Sequence, residues 1–76
     1  MKEILETIIL NMVDNKESVA ITETMEERKA SYVVKIAEED MGRIIGKQGK
    51  TAKAIRMIMK SVAGKEHKRV EVEFVN

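Results

Sequence analysis

The chain has 76 residues, of which 43% are apolar and 36% charged, with four glycines, no proline and no cysteine. This composition indicates one small, ordered domain and excludes a disulfide framework, a thiolate metal site and a disordered segment. The longest apolar run, Ile8 to Leu10, is far too short to cross a bilayer. Because no cationic and apolar leader opens the sequence, we expect a cytoplasmic protein.

The charge is divided along the chain. The formal net charge is only +1, but residues 1 to 40 carry a net charge of −5 and residues 41 to 76 carry +6. An anionic partner is therefore expected to meet the second half.

The first half predicts a helix followed by a hairpin. From Lys2 to Val13 the apolar residues fall on one stripe of a helix, which Asp14 and Asn15 should end because both favour turns. Ser18 to Met25 and Lys29 to Ala37 alternate apolar and polar residues as strands do. The short polar segment between them predicts a hairpin turn.

The second half predicts two helices around a glycine loop, and then a strand. Asp40 is expected to cap a short helix from Met41 to Ile45, because a carboxylate accepts the free N–H groups of a helix start. The residues from Gly46 to Gly49 should form a tight loop. A helix from Lys50 to Ala63 follows, and Lys68 to Val75 alternates as a strand.

The long helix has an apolar face and a basic face. A projection at 100° per residue places six residues toward the core: Ala52, Ala54, Ile55, Ile58, Met59 and Val62. The opposite face carries Lys50, Lys53, Arg56, Met57 and Lys60. Gly64 is expected to end the helix as a C-cap.

The glycine loop suits a phosphate, and a mononucleotide or a lipid could supply one. A P-loop would require a glycine at position 44, where Ile44 stands, and a large parallel sheet that this chain is too short to form. A membrane-surface helix would carry bulky apolar residues opposite its lysines, whereas here that face holds alanine, isoleucine and methionine at core spacing. Both interpretations are therefore disfavoured.

The segment Ile44-Ile45-Gly46-Lys47-Gln48-Gly49, followed by Ile55, resembles the I-I-G-x-x-G-x-x-I-x-x-I signature of the KH domain, with Ala52 in place of its next isoleucine. Residues 42 to 56 in a chain of this length are similar to the small bacterial single-KH RNA-binding proteins of the KhpA type. The resemblance implies an α+β, type II KH fold in the order α-β-β-α-α-β over residues 1 to 76. Its three-stranded sheet would pack against three helices on one face.

The same resemblance implies a binding site. In KH domains the GxxG loop holds the backbone of about four unpaired nucleotides while the bases lie in an adjacent groove. Here the loop residues are Gly46, Lys47, Gln48 and Gly49, followed by Lys50 at the helix start. Gly42, Arg43 and either Ile44 or Ile45 would line the groove. Lys53 either contacts RNA or is solvated, and Arg56 and Lys60 are expected to be solvated.

Two functions remain open. The first is RNA binding as a post-transcriptional regulator or RNA chaperone, and the second is a module that forms homodimers or docks on a larger KH-containing protein, as the family is thought to do. No nucleophile and base pair or metal-ligand set indicates an enzyme, and we expect no cofactor and no metal. Glu38, Glu39 and Asp40 are explained by a helix start, and His67 by exposure to solvent.

Overall fold

The computed structural model describes residues 1 to 76. The helices and strands follow the predicted order: α1 (Lys2–Leu10), β1 (Ala20–Met25), β2 (Lys29–Lys35), α2 (Glu38–Ile45), α3 (Lys50–Gly64) and β3 (Arg69–Val75). Short 3₁₀ turns lie at Lys16–Ser18 and Lys47–Gly49.

The three strands form one mixed sheet in the order β1-β2-β3. The predicted hairpin is confirmed, because β1 runs antiparallel to β2 with Ile21 opposite Val34. On the other side of β2, β3 runs parallel to it with Tyr32 opposite Val72. The outer edges of β1 and β3 are therefore both unpaired within the chain.

The helices cover one face of the sheet, as expected. Alternate residues of β2 point into the core, while Val33 and Lys35 on the other face are exposed. The core is a single cluster: Leu5, Ile9, Val13, Ala30, Tyr32, Val34, Ile36, Ile44, Ala52, Ile55, Met59, Val72 and Phe74. Each large aliphatic side chain buried there contributes about 1.5–3 kcal/mol to folding, and the α+β class is confirmed.

The helix α3 differs from the prediction at three positions. Ala54 and Ile58 are exposed, because α3 buries only the narrow row of Ala52, Ile55, Met59 and Ala63. Gly64 is the last residue of the helix rather than a left-handed cap. The left-handed conformation falls on His67, with φ 58°, and the N–H of Lys68 then donates to Ala63 O at 3.0 Å.

The predicted cap at Asp40 is also wrong. The helix α2 begins earlier, at Glu38, and Asp40 lies within its first turn. Its carboxylate instead accepts the backbone N–H groups of Asp14 at 3.0 Å and Asn15 at 3.1 Å, just beyond α1. The α1 helix itself ends at Leu10 rather than Val13, although Val13 remains buried. A buried carboxylate thus ties the start of α2 to the turn that follows α1.

Candidate nucleic-acid interface

The glycine loop between α2 and α3 is built from three residues with positive φ. Gly46 has φ 75° and ψ 177°, a combination that essentially only glycine adopts. Gln48 and Gly49 follow with φ 58° and 76°. The N–H of Gly49 donates to Gly46 O at 3.2 Å, which closes a 3₁₀ turn before α3 begins. The loop is therefore a sharp, internally bonded corner.

The two glycines of this corner have different surroundings. A Cβ atom on Gly46 would lie 2.6 Å from the Cβ of Thr51 and 2.9 Å from its backbone nitrogen. A Cβ atom on Gly49 would meet nothing within 4 Å. Gly46 is therefore required by packing inside the chain, whereas Gly49 turns its bare Cα toward open space, where a ligand can approach the backbone.

The backbone donors of this corner are only partly used. The N–H groups of Gly49 and Lys50 already donate within the turn, to Gly46 O and Lys47 O. The first N–H groups of such a turn, those of Lys47 and Gln48, have no acceptor within it. Donors for a phosphate are therefore expected at Lys47 and Gln48, in the turn that precedes α3.

Three lysines around the corner have no acidic partner. Lys47, Lys50 and Lys53 are exposed, and none takes part in an ion pair. Each is free to move toward a phosphate, and the basic face predicted for α3 is confirmed at Lys50 and Lys53.

A groove lies between α3 and β3, and it is reached from the loop about one turn along α3, at Lys53. Its volume is about 330 Å³, and its lining residues are Lys53, Arg56, Met57, Lys60, Val70, Glu71 and Val72. A second hollow of about 480 Å³ shares Lys60, Val70 and Glu71 and is also lined by Lys29, Gly64, Lys68 and Arg69. The two hollows together form a track along α3 and β3 whose lining is mostly cationic, with Met57, Val70 and Val72 as its apolar part.

Comparisons with known proteins agree with this geometry. The family model of the KhpA/KhpB KH domain matches residues 2–74. The chain belongs to the KhpA/KhpB KH-domain family. It is 48% identical to the RNA-binding protein KhpA of Clostridium acetobutylicum over 75 residues, which cover 99% of this chain and 100% of that protein. It is 45% identical to KhpA of Clostridium perfringens with the same coverage, and 39% identical to KhpA of Listeria monocytogenes with 99% of each chain covered. No solved structure matched.

In this KH domain the residues of α2 fall into two groups. Ile44 is fully buried, while Ile45 is partly exposed, so Ile45 is the isoleucine that can reach a groove. Gly42 is exposed, with nothing within 4 Å of an added Cβ. Neither residue lines a hollow, however, and their predicted contact with bases stays a prediction.

Arg43, in the last turn of α2, is engaged with the turn that follows α1. Its guanidinium pairs with Asp14 at 2.9 Å and donates to Met12 O at 3.2 Å. These contacts raise the pKa of Arg43, with the Asp14 hydrogen bond as the main cause. An RNA strand would have to displace both partners before Arg43 could bind it.

Sequence reasoning missed the contact that Arg56 makes with β3 across the groove. Arg56 and Lys60 were expected to be solvated, and both side chains are exposed, but Arg56 Nε also donates to Val72 O at 3.0 Å and its guanidinium carbon lies 5.4 Å from the centre of the Phe74 ring. The available signal was the basic face of the long helix. The sequence did not indicate which element lies beside that face, because no pattern in it places β3 there.

Further features of the molecule bear on other functions. The residues contain no group of three or more potential metal ligands, and no helix is long and apolar enough to pass through a bilayer. His67 is exposed, as predicted. The ring of Tyr32 is buried and its hydroxyl donates to Glu23 at 2.7 Å, so burial and then this carboxylate raise the pKa of Tyr32 well above its usual range.

Proposed function

We propose that this KH domain binds short segments of single-stranded RNA. The Gly46-Lys47-Gln48-Gly49 loop and Lys50 hold the phosphates, and the bases lie along the groove between α3 and β3. The observation that carries the proposal is the bare corner at Gly49, open to solvent and followed by the unpaired Lys50 and Lys53. Relatives named as RNA-binding proteins support it.

The groove accounts for the choice of an unpaired strand. Its apolar lining is formed by Met57, Val70 and Val72, which suit the apolar faces of bases and not a ribose–phosphate backbone. Bases can reach such a surface only when they are not paired in a duplex, and sequence-specific RNA recognition targets such unpaired bases. The lysines at the rim then lie where the backbone passes.

The aromatic residues favour this mode over stacking. Tyr32 and Phe74 are the only aromatic side chains, and they are 1% and 9% exposed. Neither ring is therefore available as a platform of the kind that single-strand binders use. Affinity must come from phosphate contacts and the groove, so we expect weak binding with loose sequence preference, as suits a post-transcriptional regulator or RNA chaperone in the cytoplasm.

The proposal is tested by the double variant Lys47→Asp/Gln48→Asp, measured by fluorescence anisotropy with a labelled single-stranded RNA pool. Two carboxylates at the corner should weaken binding at least about tenfold, because they repel the phosphates that the loop would hold. The circular dichroism spectrum and melting temperature should stay close to wild type.

The matched control is Lys35→Glu, which reverses a charge on the exposed face of the sheet, away from the helices. It should leave RNA affinity unchanged at moderate salt. Equal affinity for the wild type and the double variant would overturn the proposal.

A second candidate function is supported by two exposed apolar residues. Ile4 on α1 and Ile58 on α3 are 42% and 46% exposed, and the outer edge of β1 has no partner within the chain. These surfaces fit a module that forms homodimers or docks on a larger KH-containing protein. The double Asp variant separates the two functions, since an adaptor should retain its protein partner and its oligomeric state when the loop is altered.

A further inference from the structure

Arg56 occupies the free edge of β3 in the middle of the groove. In β3, Arg69 N donates to Arg28 O and Val75 O accepts from Ile36, so the backbone groups of residues 69 and 75 turn toward the rest of the sheet. Because backbone direction alternates along a strand, the N–H and C=O groups of residues 70, 72 and 74 point to the free edge. There, Val72 O accepts the Nε–H of Arg56 at 3.0 Å.

This hydrogen bond changes what the edge offers to a base. An open strand residue presents one donor and one acceptor side by side, the complement of adenine, which has an amino donor next to a ring-nitrogen acceptor. A carbonyl oxygen has two lone pairs, and one of those of Val72 O is already used, while the terminal nitrogens of Arg56 add donors at the same place. The centre of the groove therefore presents donors in excess of acceptors.

The orientation of Arg56 is held by two contacts. The hydrogen bond to Val72 O fixes one side of the guanidinium, and the ring of Phe74, with its centre 5.4 Å from the guanidinium carbon, supports it. The end of the guanidinium that carries the two terminal nitrogens is left for a ligand, and no acidic side chain pairs with it. The one carboxylate in the lining, that of Glu71, is bound to Lys29 at 3.1 Å.

We propose that Arg56 makes this groove select bases that carry two neighbouring acceptors. Guanine presents O6 and N7, and cytosine presents O2 and N3, whereas adenine and uracil place a donor beside each acceptor of the corresponding edge. An arginine fork pairs with two adjacent acceptors and leaves a donor unsatisfied. The site therefore prefers guanine or cytosine over adenine and uracil at the nucleotide that lies over Arg56. This inference rests on the proposed RNA binding and names the chemistry of the base at that site.

The test uses the isotopically labelled full chain and pools of pentanucleotide RNA, with four pools for each position. In each pool one position is fixed as A, C, G or U, and the other four are random. Amide shifts are followed in titrations to give an apparent dissociation constant for each pool. At one position the G and C pools should bind about fivefold tighter than the A and U pools, the lower end of the range for a bidentate contact, because the groove is open to water.

Two variants separate the fork from the charge. Arg56→Lys keeps a cation but not the fork, and should remove the ranking of bases while RNA still shifts the loop amides. Lys60→Ala, on the same rim, should weaken binding to all four pools alike and preserve the ranking.

If the wild-type protein binds the four pools equally at every position, or prefers adenine, the assignment of Arg56 is overturned while the proposed function stays in place. A ranking unchanged in Arg56→Lys would overturn it equally. The absence of amide shifts with every pool would overturn both the inference and the proposed function.

Discussion

Charged residues within α2 and just beyond it are used in opposite ways. Asp40, in the first turn of α2, is 2% exposed and accepts two backbone N–H groups from the turn after α1, and Arg43, in its last turn, pairs with Asp14. Beyond its end, Lys47 and Lys50 have no partner in the chain. Charges whose partners are supplied by the fold stabilise it, and charges left without partners are available to a ligand.

The largest difference in effect is expected between substitutions at the two glycines of the loop. Gly46→Ala should lower the free energy of unfolding by about 2 to 4 kcal/mol, because the methyl group meets Thr51 and the backbone conformation is one that alanine avoids. Gly49→Ala should lower the free energy of unfolding by only about 1 to 2 kcal/mol, because the alanine must adopt the left-handed conformation but collides with nothing.

Urea denaturation measures both values, and an RNA titration completes the comparison. Gly49→Ala should retain its fold yet bind RNA less well, since its methyl group points to the space where the ligand approaches. Equal destabilisation by the two substitutions would show that the collision with Thr51 does not matter.

Salt should lower the RNA affinity of the loop strongly and change the stability of the fold only a little. If three to five phosphates are neutralised, log K against log salt should slope roughly −2 to −3.5, so affinity should fall roughly 15- to 130-fold between 50 and 200 mM salt. The melting temperature should change little over this range. Anisotropy titrations at four salt concentrations give the slope, and a flat response would contradict binding through Lys47 and Lys50.

Replacing single cations should divide them between the two roles. Lys53→Ala should weaken RNA binding about three- to fivefold and leave the urea midpoint unchanged, since Lys53 has no partner in the chain. Arg43→Ala should lower the urea midpoint, through loss of the contacts to Asp14 and Met12, and leave RNA affinity nearly unchanged. The opposite pattern would place the RNA strand at Arg43 instead.

Acid should lower the stability of the fold through Asp40 and leave the RNA affinity of the loop unchanged. The backbone N–H of Asp14, and then that of Asn15, hold the pKa of Asp40 below its ordinary value. A carboxyl with a lowered pKa in the fold stabilises the protein above its unfolded pKa and ceases to do so as the pH falls through the folded value. The urea midpoint should therefore drop below about pH 4, and less steeply in Asp40→Asn, which starts from a lower midpoint at pH 7.

RNA affinity provides the contrasting measurement. Residues 46 to 50 include no carboxylate and no histidine, so affinity should be level between pH 5 and 8. An equally steep fall of the urea midpoint in Asp40→Asn would assign the acid sensitivity to other carboxylates.

The sequence predicts well what depends on local periodicity. The alternation of Tyr32, Val34 and Ile36 fixes the buried face of the hairpin, and the spacing of Ala52, Ile55 and Met59 fixes that of α3. The KH-like segment identifies the loop because glycine at a positive φ is a local requirement. Ala54 and Ile58 were misassigned because a 100° projection gives the direction of a face and not the width of the surface that packs on it.

What the sequence cannot predict depends on partners far along the chain. Asp40 accepts hydrogen bonds from backbone N–H groups 26 and 25 residues away. Because the sequence does not indicate these partners, the carboxylate was predicted to cap its own helix. Arg56 bonds to Val72, 16 residues away, across a groove that exists only because β3 lies parallel to β2. The left-handed conformation lies at His67 rather than Gly64 for the same reason, because it depends on the path of the chain from α3 into β3.

The most direct test of the central claim is an amide chemical-shift titration of the labelled protein with a random single-stranded RNA pentamer. The account predicts shifts at residues 46 to 53 and 70 to 74, with Asp14, Asn15 and Asp40 unmoved. Shifts confined to α1 and the start of α2, or none at saturating RNA, would contradict it.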